Sequence, residues 1–342
     1  MPRRLRLALP GALLLSFLMV APAFACGGLI GPNGAVNLLN TTTFVGYHEG
    51  VEHYVTAFQF AGGGGKFGSL TPLPGVPSNV EKGGSWTLQR LIRETQPIKA
   101  IPAPLAFGTA ARNDAVQVLL ETKIDALDIT VLKGGGAAVG EWATAHGFRL
   151  PADAPEVLDF YAERSPIFLA AAFDADAAAA RGQRIGDGTP VHITIPTANP
   201  WVPLRILALG KQGNDPVQAD VYLLTDRKPA LLPLARGDNG LSLAYDRTAS
   251  ASLLNDLRSD AGMSWVPATG WLSQLRIDTT AATLSYDLAV DAQGHSPSRV
   301  AAGLETPGAT DQTPFALTML AAAMAALILV AIREQKRIAV PA

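Results

Sequence analysis

The chain has 342 residues, 48% of them hydrophobic, a formal charge of −2 and one cysteine. Length and apolar content suffice for a sizeable buried core, and a lone cysteine excludes any intrachain disulfide, so the fold must rest on packing. The charge is uneven: without its two basic ends, the stretch between them carries roughly −7, which excludes the basic face that nucleic-acid binding requires.

Residues 1–25 read as a secretory signal peptide. Arg3, Arg4 and Arg6 precede an apolar run from Leu7 to Val20, and Ala23-Phe24-Ala25 places small residues before a cleavage point at Cys26. Ala25 and Cys26 are therefore the expected processing residues. Lipid attachment at Cys26 is the alternative to simple cleavage, although Phe24 and Ala23 fit an acylation signal poorly.

The expected extracytoplasmic domain covers 26–290, with two possible subdomains at about 26–175 and 188–290. Thr42–Tyr47 and His53–Phe60 are β-branched and aromatic, with Glu49-Gly50 between them, and predict a hairpin. Phe67–Thr71 is a further strand before Pro72-Leu73-Pro74. Ser85–Glu94 reads as a helix with Ser85 as its N-cap and Leu88, Leu91 and Ile92 on one face. Ala115–Leu120 and Leu127–Leu132 predict strands. Gly134-Gly135-Gly136 then leads into a helix that ends near His146 with Gly147 as its C-cap. Pro155 opens another helix, and Ile167–Phe173 returns as a strand. Ala175–Gly188 reads as a surface insertion. Val191–Ile195, Leu204–Leu209 and Ala219–Leu224 are strand-like, Ser250–Arg258 is helical, and Ala282–Val290 is a last strand. The pattern predicts an α+β fold of mainly antiparallel short strands with three or four packed helices.

Composition turns to Gly, Pro, Ser and Thr over 291–313, which reads as a stalk. Pro314–Ile332 is an uncharged run of 19 residues. At 1.5 Å per residue a helix there nearly matches a hydrocarbon core about 30 Å thick. Arg333, Lys336 and Arg337 follow, as a cytoplasmic flank requires. The expected topology is a single-pass membrane protein with a C-terminal transmembrane helix at 314–332, its large domain outside and the basic tail 333–342 in the cytoplasm.

Chemistry-bearing motifs are sparse. His48 and His53 flank Glu49 and Glu52 and are weak metal-ligand candidates. They lie five apart rather than four, which separates them on a helix, and no third ligand is identifiable. Gly62–Gly65 with Lys66 lacks the glycine and hydroxyl positions of a phosphate loop. Gly83-Gly84-Ser85 and Gly262-Met263-Ser264 each lack the final glycine of a nucleophile elbow. His146 and His192 read as satisfied structural histidines. No catalytic set and no cofactor are expected.

The mature start Ala25-Cys26-Gly27-Gly28, the segment Phe67–Leu70 with Pro72-Leu73-Pro74, the block carrying Val131-Leu132, Trp142, Gly147-Phe148, Leu150-Pro151, Tyr161 and Phe168-Leu169, and Pro203-Leu204-Arg205 with Val221–Leu224 resemble the bacterial family known as domain of unknown function 2330. Ser69 stands where that pattern has Trp. The resemblance covers about 25–230 and implies an envelope protein of this topology, with no activity and no catalytic residue to carry over. The leading expectation is a non-enzymatic binding or structural module at the cell membrane, whose partner is an envelope protein or glycan. The alternative is an envelope hydrolase whose site residues are scattered in sequence.

Overall fold

The computed structural model describes residues 28–31, 34–35, 41–59, 66–95, 117–182 and 188–307. Residues 1–25, Cys26, Gly62–Gly65, the end of the expected stalk, the 314–332 segment and the basic tail lie outside the described residues.

In chain order the elements begin with β1 (Gly28–Gly31), β2 (Gly34–Ala35), β3 (Thr41–His48), β4 (Val51–Gln59), β5 (Lys66–Pro72), β6 (Asn79–Lys82) and α1 (Thr87–Thr95). Then come β7 (Gln117–Ile124), β8 (Leu127–Lys133), α2 (Gly136–Ala145), α3 (Ala154–Ala162), β9 (Ile167–Asp174), α4 (Ala175–Ala180) and β10 (Gly188–Pro196). Last are β11 (Trp201–Val202), a 3-10 turn (Arg205–Ala208), β12 (Pro216–Thr225), β13 (Ala230–Leu232), β14 (Leu241–Thr248), α5 (Ala251–Ser259), β15 (Trp271–Thr280) and β16 (Leu288–Asp291).

Two large sheets face each other. The first has the order β2-β1-β5-β9-β8-β7, the second β14-β15-β12-β3-β4-β10-β6, and a small third sheet is β11-β16-β13. All pairings are antiparallel except β3 with β12. The period-2 alternation of each strand splits its side chains between two layers. Val45, Tyr54, Ile193 and Val221 of the second sheet meet Ile129, Val131, Leu169 and Ala171 of the first in the central core. On the outer face of the first sheet, Leu132 and Phe168 pack under α2 and α3 through Val139, Trp142, Leu158 and Tyr161. On the outer face of the second, Phe44, Val55 and Tyr222 pack under α1 and α5 through Leu88, Leu91, Leu253 and Leu257. The order of layers is helix, sheet, sheet, helix.

This corrects the α+β expectation with an added membrane helix. The described residues form sixteen strands but only five α-helices. Those helices have six to ten residues each, and α1, α2, α3 and α5 cover the outside of a sandwich filled chiefly by strand residues. Among the described residues no helix is long and apolar enough to cross a membrane. The short β1, β2, β6, β11 and β13 were not anticipated, nor were the longer β14 and β15, which extend the second sheet beyond β12. Leu204–Leu209, expected as a strand, instead contains the 3-10 turn. Its first amides are drawn to fixed acceptors: Leu204 and Arg205 donate to Asp287 Oδ1 at 2.7 and 3.0 Å, and Ile206 donates to the Tyr161 hydroxyl at 2.8 Å.

The stretch after Val290 has the composition of a stalk but packs as far as it is described. Ala301 and Ala302 are buried. The Asp287 amide donates to the Ala302 carbonyl at 3.0 Å, and Arg164 Nη1 donates to Ala301 O at 2.8 Å.

Candidate functional site

The β3–β4 hairpin turns at Glu49-Gly50, both with positive φ, and sets Gly46 opposite His53 and His48 opposite Val51. All four positions share the outer face of the second sheet. On the far side of β4, β10 pairs with both β4 and β6, placing Glu81 of β6 directly opposite His192. Three strands thus line up three groups far apart in sequence. His53 Nδ1 lies 3.0 Å from His192 Nε2, and His192 Nδ1 lies 3.2 Å from Glu81 Oε1.

A carboxylate can only accept, so His192 Nδ1–H donates to Glu81, and its Nε2 accepts from His53 Nδ1–H. The result is a carboxylate–imidazole–imidazole relay. Burial lowers the pKa of His53 to about 3, and the neighbouring His192 and His48 push in the same direction. Burial also lowers His192, against the opposing pull of Glu81. Both rings are therefore neutral at pH 7, and as a hydrogen-bonded pair they titrate together.

Trp265 covers the relay. Its ring stacks on His53 with 3.8 Å between centroids and 2° between planes, and lies against Phe44 at 6.1 Å. Gly46 is its seat: a Cβ there would stand 2.0 Å from Trp265 Cη2. Below this cover His53 is only 8% exposed and His192 2%. Glu81 alone reaches solvent, its side chain 44% exposed.

Each expected site residue can now be placed. His48 and His53 share a face, but their Nδ1 atoms serve different partners, Asp226 Oδ1 at 2.7 Å for His48 and His192 for His53. Among the described residues no group of three or more His, Cys, Asp or Glu side chains is arranged to hold a metal ion. His146 hydrogen-bonds the Trp142 carbonyl at 2.7 Å and stacks on that indole. Glu81 and Trp265 escaped sequence reasoning, because the pairing of β10 with β6 brings Glu81 to His192 and the segment after α5 brings Trp265 onto His53. An isolated Glu in a four-residue strand carries no signal of that.

A second feature lies on the opposite side of the molecule. Gly136 lets α2 approach α3 with no intervening side chain, since a Cβ there would come within 2.7 Å of the Asp159 backbone nitrogen. Where the helices diverge, they leave an open groove of about 570 Å³ lined by Ala137, Gly140, Leu150, Pro155 and Leu158, among others. Glu141 and Thr144 are its polar lining, and the Thr144 hydroxyl is spent on the Gly140 carbonyl at 2.9 Å.

The described residues thus define a two-sheet sandwich that combines an open apolar groove with a covered histidine relay. The chain belongs to the family described as an uncharacterized protein conserved in bacteria (DUF2330), which matches residues 20–232. That span includes His53, Glu81, His192 and the α2–α3 groove, whereas Trp265 lies beyond it. No protein of curated function matches the chain. Among solved structures, baculovirus P35 is similar at 11% identity, with 73% of this chain and 96% of that one covered and a TM-score of 0.39. P35 in its complex with caspase-8 is similar at 9% identity, 73% and 95% coverage and a TM-score of 0.39. A mutated P35 after caspase cleavage gives 8% identity, 73% and 99% coverage and a TM-score of 0.36. Likeness at this level transfers neither fold nor activity.

Proposed function

We propose that this protein is a non-enzymatic binding module of the bacterial cell envelope, whose α2–α3 groove receives an apolar segment of a partner protein. The observation that carries this reading is the groove itself. It is open, concave and almost wholly apolar, and such concavities are where ligands gain most from burial. Glycine and alanine along α2 allow a partner backbone to come close. A glycan needs several directed polar groups, and the groove supplies chiefly Glu141, so a protein segment is the better fit. Residues 1–25 support an envelope location through their signal-peptide pattern.

A photo-reactive residue at Ala137, compared with one at Ser242 on the far sheet edge, tests this in the native host. Cross-links to a defined protein from Ala137, lost when Gly140→Leu fills the groove, are expected. Equal cross-linking from Ser242, or indifference to Gly140→Leu, would count against it.

The second reading, an envelope hydrolase, is favoured by one observation: the Glu81–His192–His53 order matches an oriented base. Against it stands the cover, since a base under a stacked indole has no room for substrate. Hydrolysis of envelope peptides or glycans by the purified protein, abolished in His53→Ala, would establish this alternative.

A further inference from the structure

From the way Trp265 is held, we infer that residues 261–265 form an acid-released strap, which lifts from the β3–β4 face when the His53–His192 pair takes up a second proton. The strap is tied at both ends, and between them Met263 is buried in the outer core of the second sheet. At its start, Asp260 accepts from the Ser85, Trp86 and Thr87 amides at 3.1, 3.0 and 2.9 Å and from the Thr87 hydroxyl at 2.8 Å. At its end, Arg258 Nη1 donates to the Val266 and Pro267 carbonyls at 3.1 and 2.6 Å. Neither tie involves a histidine. Between them Gly262 has a φ of +74°, a conformation that glycine adopts freely.

Beside Met263, what holds the middle down is the stack of Trp265 on His53. The indole Nε1–H is buried with no hydrogen-bond partner, a state that favours exposure as soon as the stack weakens. The first proton leaves the relay intact. His192 then donates from both nitrogens, to Glu81 and to His53, and every contact remains a hydrogen bond. The second proton must go to His53 Nδ1, where two N–H groups and two positive charges would face each other across 3.0 Å. Buried like charges at that separation repel strongly.

Every charged neighbour fits this order. Glu81 on β6 favours the first proton through its contact with His192. On β3, His48 opposes a charge on His53, and its own partner Asp226 faces it from beyond β12. From the strap side Asp260 is committed to five donors, the Ala261 amide being the fifth, so among the described residues no carboxylate is left to neutralise His53. Lifting the strap uncovers the Phe44 ring and the His53 imidazole, an apolar and titratable patch separate from the α2–α3 groove.

Hydrogen exchange of the full chain, read by mass spectrometry from pH 7 to pH 3 and corrected for intrinsic rates, tests this beside far-ultraviolet circular dichroism. Protection of the 261–265 amides should fall at least ~10-fold, the worth of one pKa unit, while the circular dichroism is still native. His53→Phe keeps a stacking ring and removes both nitrogens, and should abolish the step. His192→Gln should do the same. Protection that stays constant until the whole fold is lost overturns the inference in the wild-type protein alone, whether or not either variant folds. A step that persists unchanged in His53→Phe also overturns it.

Discussion

Glu52 and His53 are neighbours in β4 that point to opposite faces and respond to pH in opposite ways. Glu52 is fully buried between the sheets. Its Oε2 accepts from the Trp201 amide at 3.3 Å while Oε1 has no partner. Burial pushes its carboxyl up to about 8, against the pull of that amide. The folded state therefore holds a proton that the unfolded chain releases near 4.5. The contribution to stability is fully present below pH 4.5 and is lost as pH rises through 8. His53, lowered from 6.5 to about 3, does the reverse: its contribution is present above pH 6.5 and is lost as pH falls toward 3. From these groups the melting temperature should peak between pH 4.5 and 6.5. Glu52→Gln should flatten the alkaline side, where the wild type loses about 3 kcal/mol between pH 4.5 and 7. Thermal melts across pH check both, and an unchanged alkaline slope in the variant would refute the assignment to Glu52.

Asp287 makes a different case at the same scale. It is fully buried and accepts from the Tyr161 hydroxyl at 2.8 Å, Arg164 Nη2 at 2.5 Å and the Leu204 and Arg205 amides. Removing it leaves a buried guanidinium without its counter-charge and three neutral donors without an acceptor. Asp287→Ala should cost about 3–5 kcal/mol in denaturant unfolding, far more than an exposed carboxylate change such as Asp238→Ala.

At the scale of elements, local pattern predicted most of the strands and helices that carry apolar alternation or clear turn residues. The β3–β4 hairpin around Glu49-Gly50, α2 ending near His146 and a helix at α5 form as expected, although the C-cap of α2 is His146 rather than Gly147. In α5 the Ser250 hydroxyl accepts from the Leu253 amide at 3.1 Å. Helix α1 shows where locality stops. Ser85 was the expected cap, but the free amides at the start of α1 go to Asp260, 173 to 175 residues away. Capping from another element ties α1 to the end of α5, so Asp260→Ala should cost about 1–3 kcal/mol. It should also raise hydrogen exchange in both helices together, and a loss confined to α1 would show that the tie is local. The missed strands β14 and β15 have a related cause. Ser273 and Gln274 are polar and interrupt the apolar pattern, yet both are buried. Ser273 Oγ donates to Asp246 at 2.9 Å and Gln274 Nε2 to Asp220 at 2.8 Å, partners that lie on neighbouring strands.

For the whole molecule, the family match ends at residue 232, but the sandwich does not. Beyond it lie β14, β15, β16, α5 and the Trp265 strap. A chain ending at Leu232 would leave the β12 edge unpaired and the outer face of the second sheet without α5. It should aggregate or bind hydrophobic dyes, whereas a chain ending at Pro307 should melt cooperatively. A chain ending at Val290 tests the finer boundary. It loses the buried Ala301-Ala302 segment and the carbonyls that accept from Arg164 and the Asp287 amide. It should fold but unfold at lower denaturant, by about 2–4 kcal/mol. Equal stability of the Val290 and Pro307 forms would show that the packed tail contributes nothing.

Taken by itself, the sequence determined what depends on short-range order: the hairpin turn, the helix that ends near His146, the exclusion of intrachain disulfides, the acidic balance of the central region and membership of the family. The spacing of His48 and His53 also sufficed to turn attention from a helical metal pair. Only the tertiary structure decided that the strands assemble into two facing sheets, and that β14 and β15 join the second through polar partners in other strands. Only it could join Glu81, His192 and His53, since the register of β10 against both β4 and β6 is a long-range choice made by burial of Val191, Ile193 and Ile195 in the central core. Trp265 reaches His53 for the same kind of reason. Its position depends on a glycine seat in β3 and an aspartate clamp on α1, and neither contact leaves a trace in the residues beside it.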